Sequence, residues 1–208
     1  MSRSSRWTGL SRAERVAERR DLLIDAAFTL FGEGGESAVT VRSVCRHSDL
    51  HTRYFYESFT DTDELLGAAY DVVVTKLVLT LGRAMLGLPS DRARLAAGIR
   101  AALDFSSRDP RRGKILFTEA RTNPVLAERR SATQEQLRES VLDTDQAVPA
   151  SDRTADLVGA ALYAGAIAEL AQQWVSGSLG TDLDAVVDAT VRVLMPADPA
   201  KVPDSPPW

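Results

Sequence analysis

Apolar residues recur at three- and four-residue steps along most of the chain, which is the pattern of amphipathic helices. In the first such stretch, Ser11 and Glu14 have the spacing of a capping box. Glycines at positions 32, 34 and 35 then end the pattern. Its apolar positions are Val16, Leu23, Ala27, Leu30 and Phe31. This spacing predicts a first helix from Ser11 to Phe31 with one buried face.

Two short helices joined by a tight turn are predicted next. Thr40 is a suitable N-cap for the second helix, whose inward positions are Val41, Val44 and Cys45. Ser48 and Asp49 break the pattern, and a third helix is predicted from about Leu50 to Ser58. Phe55 and Phe59, four residues apart, are its packing positions. Such a pair of helices is typical of a helix-turn-helix. The positions left toward solvent are Arg42, Arg46, His51, Thr52, Arg53, Tyr56 and Glu57.

The remaining chain predicts longer helices and no strands. Further helices are expected at about 63–86, 91–107, 110–121, 124–143, 152–176 and 182–194. We therefore predict an all-α fold of about nine helices. Residues 1–60 would form an N-terminal arm and a three-helix domain, and residues 61–195 a second helical domain. Residues 196–208 hold five prolines and are predicted to be a disordered tail.

The composition argues against most enzymatic chemistry. Cys45 is the one cysteine, so an internal disulfide is excluded, and its apolar setting favours a packed residue over a nucleophile. His47 and His51 are the two histidines, which makes a zinc site or a Ser/His/Asp triad improbable. The sequence also lacks a glycine-rich phosphate loop and a metal-ligand cluster. We expect no catalytic residue, no metal and no cofactor.

The chain is expected to be cytoplasmic. It has no run of 18 uncharged apolar residues, so a membrane-spanning helix is not expected. The residues after Met1 lack the apolar segment of a signal peptide. Its apolar share of 44% is large enough for a real core.

Charge is distributed unevenly along the chain, whose net charge is −4. Residues 1–20 hold six arginines against two glutamates, whereas residues 61–208 hold more acidic than basic residues. A basic arm on an acidic body is expected when one end meets phosphate, although a solvated tail has the same composition. Arg12 and Arg15 are the candidate contacts in this arm, and no role is settled for Arg3 and Arg6.

The outward side chains of the third helix have the chemistry that reads a DNA groove. Arginine suits guanine edges, threonine suits bases or a thymine methyl, and tyrosine suits a phosphate. The same side chains are common on any soluble helix, so the spacing alone leaves both interpretations open.

The segment from Thr40 to Phe59, followed by Asp63-Glu64-Leu65-Leu66, resembles the signature of TetR-family repressors. Leu30-Phe31, Gly35, Phe55-Tyr56 and Phe59 also stand at the matching offsets. The resemblance covers about 50 residues, and it implies an operator-binding regulator. Carried over by position or drawn from the arm, the expected DNA-binding residues are Thr40, Arg42, His51, Thr52, Arg53, Tyr54, Tyr56, Arg12 and Arg15.

Three positions depart from the family pattern. Asp49 replaces the usual turn glycine, and aspartate tolerates the left-handed conformation better than most residues. Thr62 replaces the usual lysine and so removes one cation that would contact phosphate. Tyr54 is bulkier than the small residue normally found there, which predicts an unusual operator sequence.

The resemblance also implies an effector cavity and a dimer face in the second domain. Small residues over 159–168, together with an apolar last helix, favour a four-helix bundle across a twofold axis. The alternative is that the same residues pack within one chain. The candidate effector-binding residues are Leu81, Met85, Phe105, Phe117, Arg121, Tyr163 and Trp174. Their apolar and aromatic character predicts a lipophilic or aromatic small molecule.

The sequence therefore predicts a homodimeric repressor that a small molecule releases from a double-stranded DNA operator. The alternative from another class is a helical small-molecule-binding protein without operator binding, which the departures at Asp49 and Thr62 would suit. An enzyme is disfavoured by the shortage of histidine and of ligand clusters.

Overall fold

A computed structural model describes residues 11–118, 123–133 and 150–195, and these residues form helices and connecting turns without any β-strand. The expected all-α fold is confirmed. The helices are α1 (Arg12–Gly34), α2 (Val41–Ser48), α3 (Thr52–Tyr56), α4 (Thr62–Met85), α5 (Asp91–Ser107), α6 (Pro110–Gly113), α7 (124–133), α8 (Ala150–Val175) and α9 (Leu183–Leu194). A 3-10 turn at Glu36–Ala38 precedes α2, and a π-helical turn at Lys114–Thr118 follows α6.

Local capping explains where several helices begin. The Ser11 hydroxyl accepts from the Glu14 backbone N–H at 3.2 Å, and the Glu14 carboxylate accepts from the Ser11 N–H at 2.7 Å. This is the capping box that the sequence predicts. Asp61 caps α4 by accepting from the Glu64 N–H at 2.8 Å. Asp182 caps α9 in the same way.

Three expectations differ from the structure. The third helix is shorter than predicted, because His51 has an extended backbone and caps a helix that begins only at Thr52. Val16 is exposed, since the buried face of α1 begins at Leu23. The helix expected to reach Arg121 gives way to the π-helical turn after Gly113. Residues 119–122, the predicted helical stretch 134–143 and the tail 196–208 lie outside the described residues.

Two apolar clusters make up the core. The first joins α1, α2 and α3 to the first half of α4, and includes Phe31, Val44, Phe55 and Leu65, all fully buried. The second joins α5, α8 and α9. Its buried members are Ile99, Leu103, Ala171, Val187 and Val191. Phe117 packs against both clusters and so connects them.

Residues that follow α5 in the chain contact the end of α1 and the 3-10 turn after it. The stem of Arg111 packs so closely on Gly32 that a Cβ at position 32 would lie 2.5 Å from Arg111 Cγ. Lys114 Nζ donates to the Gly32 carbonyl at 3.3 Å. Asn123 Nδ2 donates to a Glu36 carboxylate oxygen at 2.8 Å. Because Gly32 lies in the last turn of α1, just before α2, these contacts couple the helix-turn-helix to the body.

Among the described residues, α4 is the one helix whose length and apolar character would allow it to cross a membrane. No such helix is expected from the sequence. Its first half is packed into the first cluster through Leu65, Leu66, Ala69 and Val73, as in the core helix of a globular domain.

Candidate nucleic-acid interface

The turn between α2 and α3 is built as the sequence predicts. Asp49 has a left-handed backbone, with φ 56° and ψ 36°, and ends α2. Leu50 N–H then donates to the Cys45 carbonyl at 3.0 Å. The Ser48 hydroxyl is buried and donates to the Val44 carbonyl at 2.8 Å. The turn therefore keeps the geometry that glycine usually provides, without a glycine.

Packing of α2 and α3 leaves a polar surface. Val44 and Phe55 are fully buried, which turns the opposite sides of their helices outward. The residues exposed there are Arg42, Arg46, His51, Thr52, Arg53 and Tyr56. The exposed Thr40 caps α2 in a reciprocal pair with Ser43 at 2.9 and 3.1 Å. This surface offers cations and hydroxyls together.

His51 and Tyr54 have structural contacts besides their exposure. His51 Nδ1 accepts from the Arg53 backbone N–H at 3.2 Å and so caps α3. Tyr54 is half-buried, and the Arg19 guanidinium lies 4.4 Å from its ring centroid. Tyr54 is therefore held from α1 and is not a loose surface side chain.

An ionic chain connects α1 to α3. Arg53 Nε donates to Glu57 Oε1 at 2.9 Å, while Glu57 Oε2 lies 3.7 Å from Arg19 Nη2. The Arg19 side chain is only 15% exposed. Sequence reasoning gave neither Arg19 nor Glu57 a role. The four-residue spacing could have paired Arg53 with Glu57, but no local pattern links Arg19 to either.

The basic arm is described only in part. Arg12 is exposed and Arg15 half-buried, both in the first turn of α1. Arg3 and Arg6 lie outside the described residues.

The turn from α3 to α4 is fixed by Glu64. Its carboxylate accepts from the Thr60 backbone N–H at 2.7 Å and from the Thr60 hydroxyl at 2.9 Å. These two hydrogen bonds, of which the one from the backbone has the larger effect, hold the pKa of Glu64 below its ordinary value. The Glu64-Leu65 pair of the sequence motif thus begins with a residue that holds the turn before α4 against the first turn of that helix.

Cys45 is buried beside α3. Burial raises the pKa of its thiol above the ordinary value, which disfavours the reactive thiolate. Within the described ranges, no group of three or more metal-ligating side chains comes together.

Cavities occur at the junction of the helix-turn-helix and the body. The larger has a volume of about 290 Å³ between α1, α4 and α6. Apolar side chains such as Phe28 and Val73 line it together with Lys76, Asp109 and Arg111. Arg111 binds both carboxylate oxygens of Asp109 at 2.9 and 3.0 Å, which lowers the pKa of Asp109. A second cavity of about 210 Å³ lies between Glu36–Thr40 and the start of α4.

Neither of these cavities is lined by the predicted effector residues. Leu81 and Met85 are half-buried on α4, with Met85 against Gly98 of α5. Phe105 is buried in the first cluster, and the Arg112 guanidinium lies 4.5 Å from its ring centroid.

Phe117 and Trp174 both pack against the second cluster. Trp174 Nε1 and the side-chain oxygen of Gln172 are buried and have no hydrogen-bond partner among the described residues. Arg121 and the side chain of Tyr163 lie outside the described part of the chain.

Comparison with known proteins agrees with this geometry. Residues 23–69, which run from the middle of α1 to the first third of α4, match the family model of bacterial regulatory proteins, tetR family. Over this segment the chain is similar to the TetR family. Over 179 residues the chain is 25% identical to the HTH-type transcriptional activator FasR of Mycolicibacterium smegmatis. That match covers 84% of this chain and 80% of the relative.

Solved structures extend the similarity to the whole TetR-like fold. The regulator FadR of Bacillus subtilis, solved in complex with stearoyl-CoA, matches with a TM-score of 0.67 and 15% identity over 86% of this chain and 98% of that chain. The fatty acid degradation regulator FadR of Bacillus halodurans matches with a TM-score of 0.65 and 16% identity. It covers 86% of this chain and 95% of that one. A TetR-like regulator of Rhodococcus sp. RHA1 matches with a TM-score of 0.64 and 19% identity, over 89% of this chain and 96% of that chain.

Proposed function

We propose that this chain is a homodimeric DNA-binding repressor whose operator affinity is controlled by a small lipophilic effector. One observation carries the DNA-binding part. Full burial of Val44 and Phe55 turns Arg42 and Arg53 to solvent on neighbouring helices of a helix-turn-helix. Residues 1–60 would bind DNA, residues 61–195 would bind effector and partner copy, and 196–208 would be a tail outside both.

The roles within the interface follow from side-chain chemistry. Arg53 and Thr52 would contact base edges, and Tyr54 a thymine methyl or sugar. The residues proposed for phosphate are Thr40, Arg42, Tyr56, Arg12 and Arg15. His51 would position the start of α3 against the duplex, since it already caps that helix.

Apolar residues exposed on α8 and α9 support the homodimer. Leu162 is 66% and Val193 78% exposed, and Val158 is also exposed. Gly159 and Gly165 have no neighbouring atom within 4 Å of an added Cβ, so a second helix could approach closely there. Burial against a second copy would remove this apolar surface from water. The two recognition helices would then meet half-sites roughly 34–36 Å apart.

The proposal of a lipophilic effector has two supports. The structural neighbour from Bacillus subtilis was solved with stearoyl-CoA. In this chain, Trp174 packs against the second cluster, and its Nε1 and the Gln172 amide oxygen are buried without a partner among the described residues, so each has a polar contact to offer. A mostly apolar site with few polar groups suits a lipophilic ligand.

The effector would act through a shift between two conformations. α4 begins beside α3 and runs into the body, where its far end packs against α5. A ligand that favours a tilted α4 would change the separation of the recognition helices. It can weaken DNA binding only by its differential affinity for the two conformations.

DNA binding is tested with duplexes that the wild-type chain selects from a random-sequence library. We expect the wild-type chain to bind these duplexes tightly and in a salt-sensitive manner. Arg53→Ala should lower the affinity tenfold or more, which is on the order of the loss of one base contact. Arg192→Ala, a charge-matched change on α9, should leave binding unchanged. No salt-sensitive binding by the wild-type chain would leave a helical ligand-binding protein as the better description.

The regulatory part is tested by transcription in vitro from a selected operator, with and without stearoyl-CoA as the probe. We expect the protein to lower transcription and the probe to restore it. Stimulation by the protein would make it an activator, the role named for the Mycolicibacterium smegmatis relative. No response to the probe would contradict an acyl-thioester effector.

A further inference from the structure

Glu57 is a carboxylate on a surface that, under the proposed function, faces a polyanion. Its side chain is 36% exposed at the end of α3, among the exposed side chains proposed to meet DNA. A carboxylate there repels phosphate and weakens binding to any duplex. The contacts of the Glu57 carboxylate with Arg53 and Arg19 indicate a role that offsets this repulsion.

Glu57 engages one particular edge of Arg53. The bond at 2.9 Å runs from Arg53 Nε to Glu57 Oε1, while the Arg53 side chain remains 79% exposed. A guanidinium carries one N–H on Nε and two on each terminal nitrogen. Because this bond uses Nε, it leaves the Nη1 and Nη2 donors of the exposed Arg53 side chain for another partner. Those two donors can make the paired contact with O6 and N7 of guanine in the major groove.

Glu57 is itself anchored from outside the recognition helix. Its second oxygen lies 3.7 Å from Nη2 of Arg19, which belongs to α1. Arg19 is held in turn, because its guanidinium lies over the Tyr54 ring at 4.4 Å and its side chain is 15% exposed. An isolated exposed ion pair contributes little, whereas a series of contacts that ends on the partly buried Arg19 restricts the outer arginine.

Resting on the proposed DNA binding, we propose that Glu57, anchored by Arg19, positions Arg53 to read a guanine in each half-site. Glu57 is a positioning residue that touches no base. Its carboxylate weakens non-specific binding by repelling phosphate and strengthens selectivity by orienting the arginine fork. These two effects have opposite signs, which separates the proposal from a purely structural role.

The test compares Glu57→Ala with the wild-type chain on a selected operator, on the same operator with the guanine pair replaced, and on random duplex. We expect the preference for the guanine operator to fall roughly three- to tenfold, part of what one base contact provides. Affinity for random duplex should rise roughly two- to fivefold, because one repulsive charge is gone. Glu57→Gln, whose amide oxygen can still accept from Nε, should keep more of the guanine preference than Glu57→Ala.

Asp63→Asn is the matched control for charge. Asp63 is exposed in the first turn of α4, close in sequence to Glu57. Its neutralisation should raise affinity for random duplex without changing the guanine preference. Arg53→Lys keeps the charge but loses the fork, and should lose the guanine preference while retaining salt-sensitive binding.

The results separate this inference from the function on which it rests. A wild-type chain that binds no duplex overturns both. Two outcomes overturn the positioning role alone. In the first, Glu57→Ala shows salt-sensitive binding with an unchanged guanine preference. In the second, the wild-type chain and Arg53→Lys select the same operator. Circular dichroism melting of each variant verifies that the comparison is made on folded protein.

Discussion

Asp49 is the one non-glycine residue of the described chain whose backbone φ is positive. A side chain with a Cβ is strained in this left-handed region, and aspartate is among the residues that tolerate it best. The position lies between α2 and α3, where the chain must reverse before Leu50 packs inward. Asp49 therefore makes the left-handed turn that ends α2 ahead of the recognition helix.

We predict that Asp49→Ala lowers the free energy of unfolding by about 1 kcal/mol, since alanine has a Cβ without aspartate's tolerance for this region. Asp49→Gly is the matched change, because glycine adopts positive φ without strain. It should be at least as stable as Asp49→Ala at the same denaturant concentration. Urea unfolding of the three proteins measures the differences, and an alanine variant more stable than the glycine variant would contradict the strain argument.

At the scale of helices, the contact between α1 and α6 depends on Gly32 having no side chain. Gly32 leaves room for the stem of Arg111, whose guanidinium is fixed by Asp109 and lies 5.0 Å from the Phe28 ring centroid. Gly82 of α4 offers a comparison, because no atom lies within 4 Å of an added Cβ there. One helical glycine is required by packing and the other is not.

Gly32→Ala should destabilise the protein by about 1–3 kcal/mol, because the new methyl group displaces Arg111. Gly82→Ala should instead stabilise it by about 0.5–1 kcal/mol, since alanine is the better helix former. Thermal unfolding of both variants gives the signs. Equal stabilisation by the two changes would mean that Arg111 moves aside without cost.

At the scale of the whole molecule, the exposed apolar side chains are the features that bear on whether two copies associate. The second cluster buries the inner sides of α8 and α9, yet Leu162 and Val193 remain outside it. Leu86, at the end of α4, is equally apolar and 82% exposed. Within the described ranges, the α8–α9 surface combines exposed apolar residues with helix glycines that allow close approach.

We predict that wild-type protein elutes with twice the 22.6 kDa mass of one chain, and that Leu162→Lys with Val193→Lys reduces it to one. Two lysines buried against each other would be desolvated and would repel, so the dimer should dissociate. Light scattering after gel filtration measures the mass. Leu86→Lys is the control and should leave it unchanged; a double variant of unaltered mass would place the interface elsewhere.

Much of the fold follows from local sequence signals. The first helix begins where Ser11 and Glu14 cap each other, and α2 ends where Asp49 can turn the chain. These interactions join residues a few positions apart, so the spacing of polar and apolar residues contains them. For the same reason, that spacing is sufficient to assign the side chains that α2 and α3 turn outward.

Other features depend on contacts between residues distant in sequence. Phe117 joins two clusters, and Gly32 receives Arg111 from 79 positions along the chain. The chain of contacts from Arg19 to Arg53 joins α1 to α3. Periodicity records which side of a helix is buried but not which residue it meets. The sequence therefore determined the helices and the outward surface of the helix-turn-helix, while only the tertiary structure decided how Arg53 is held there.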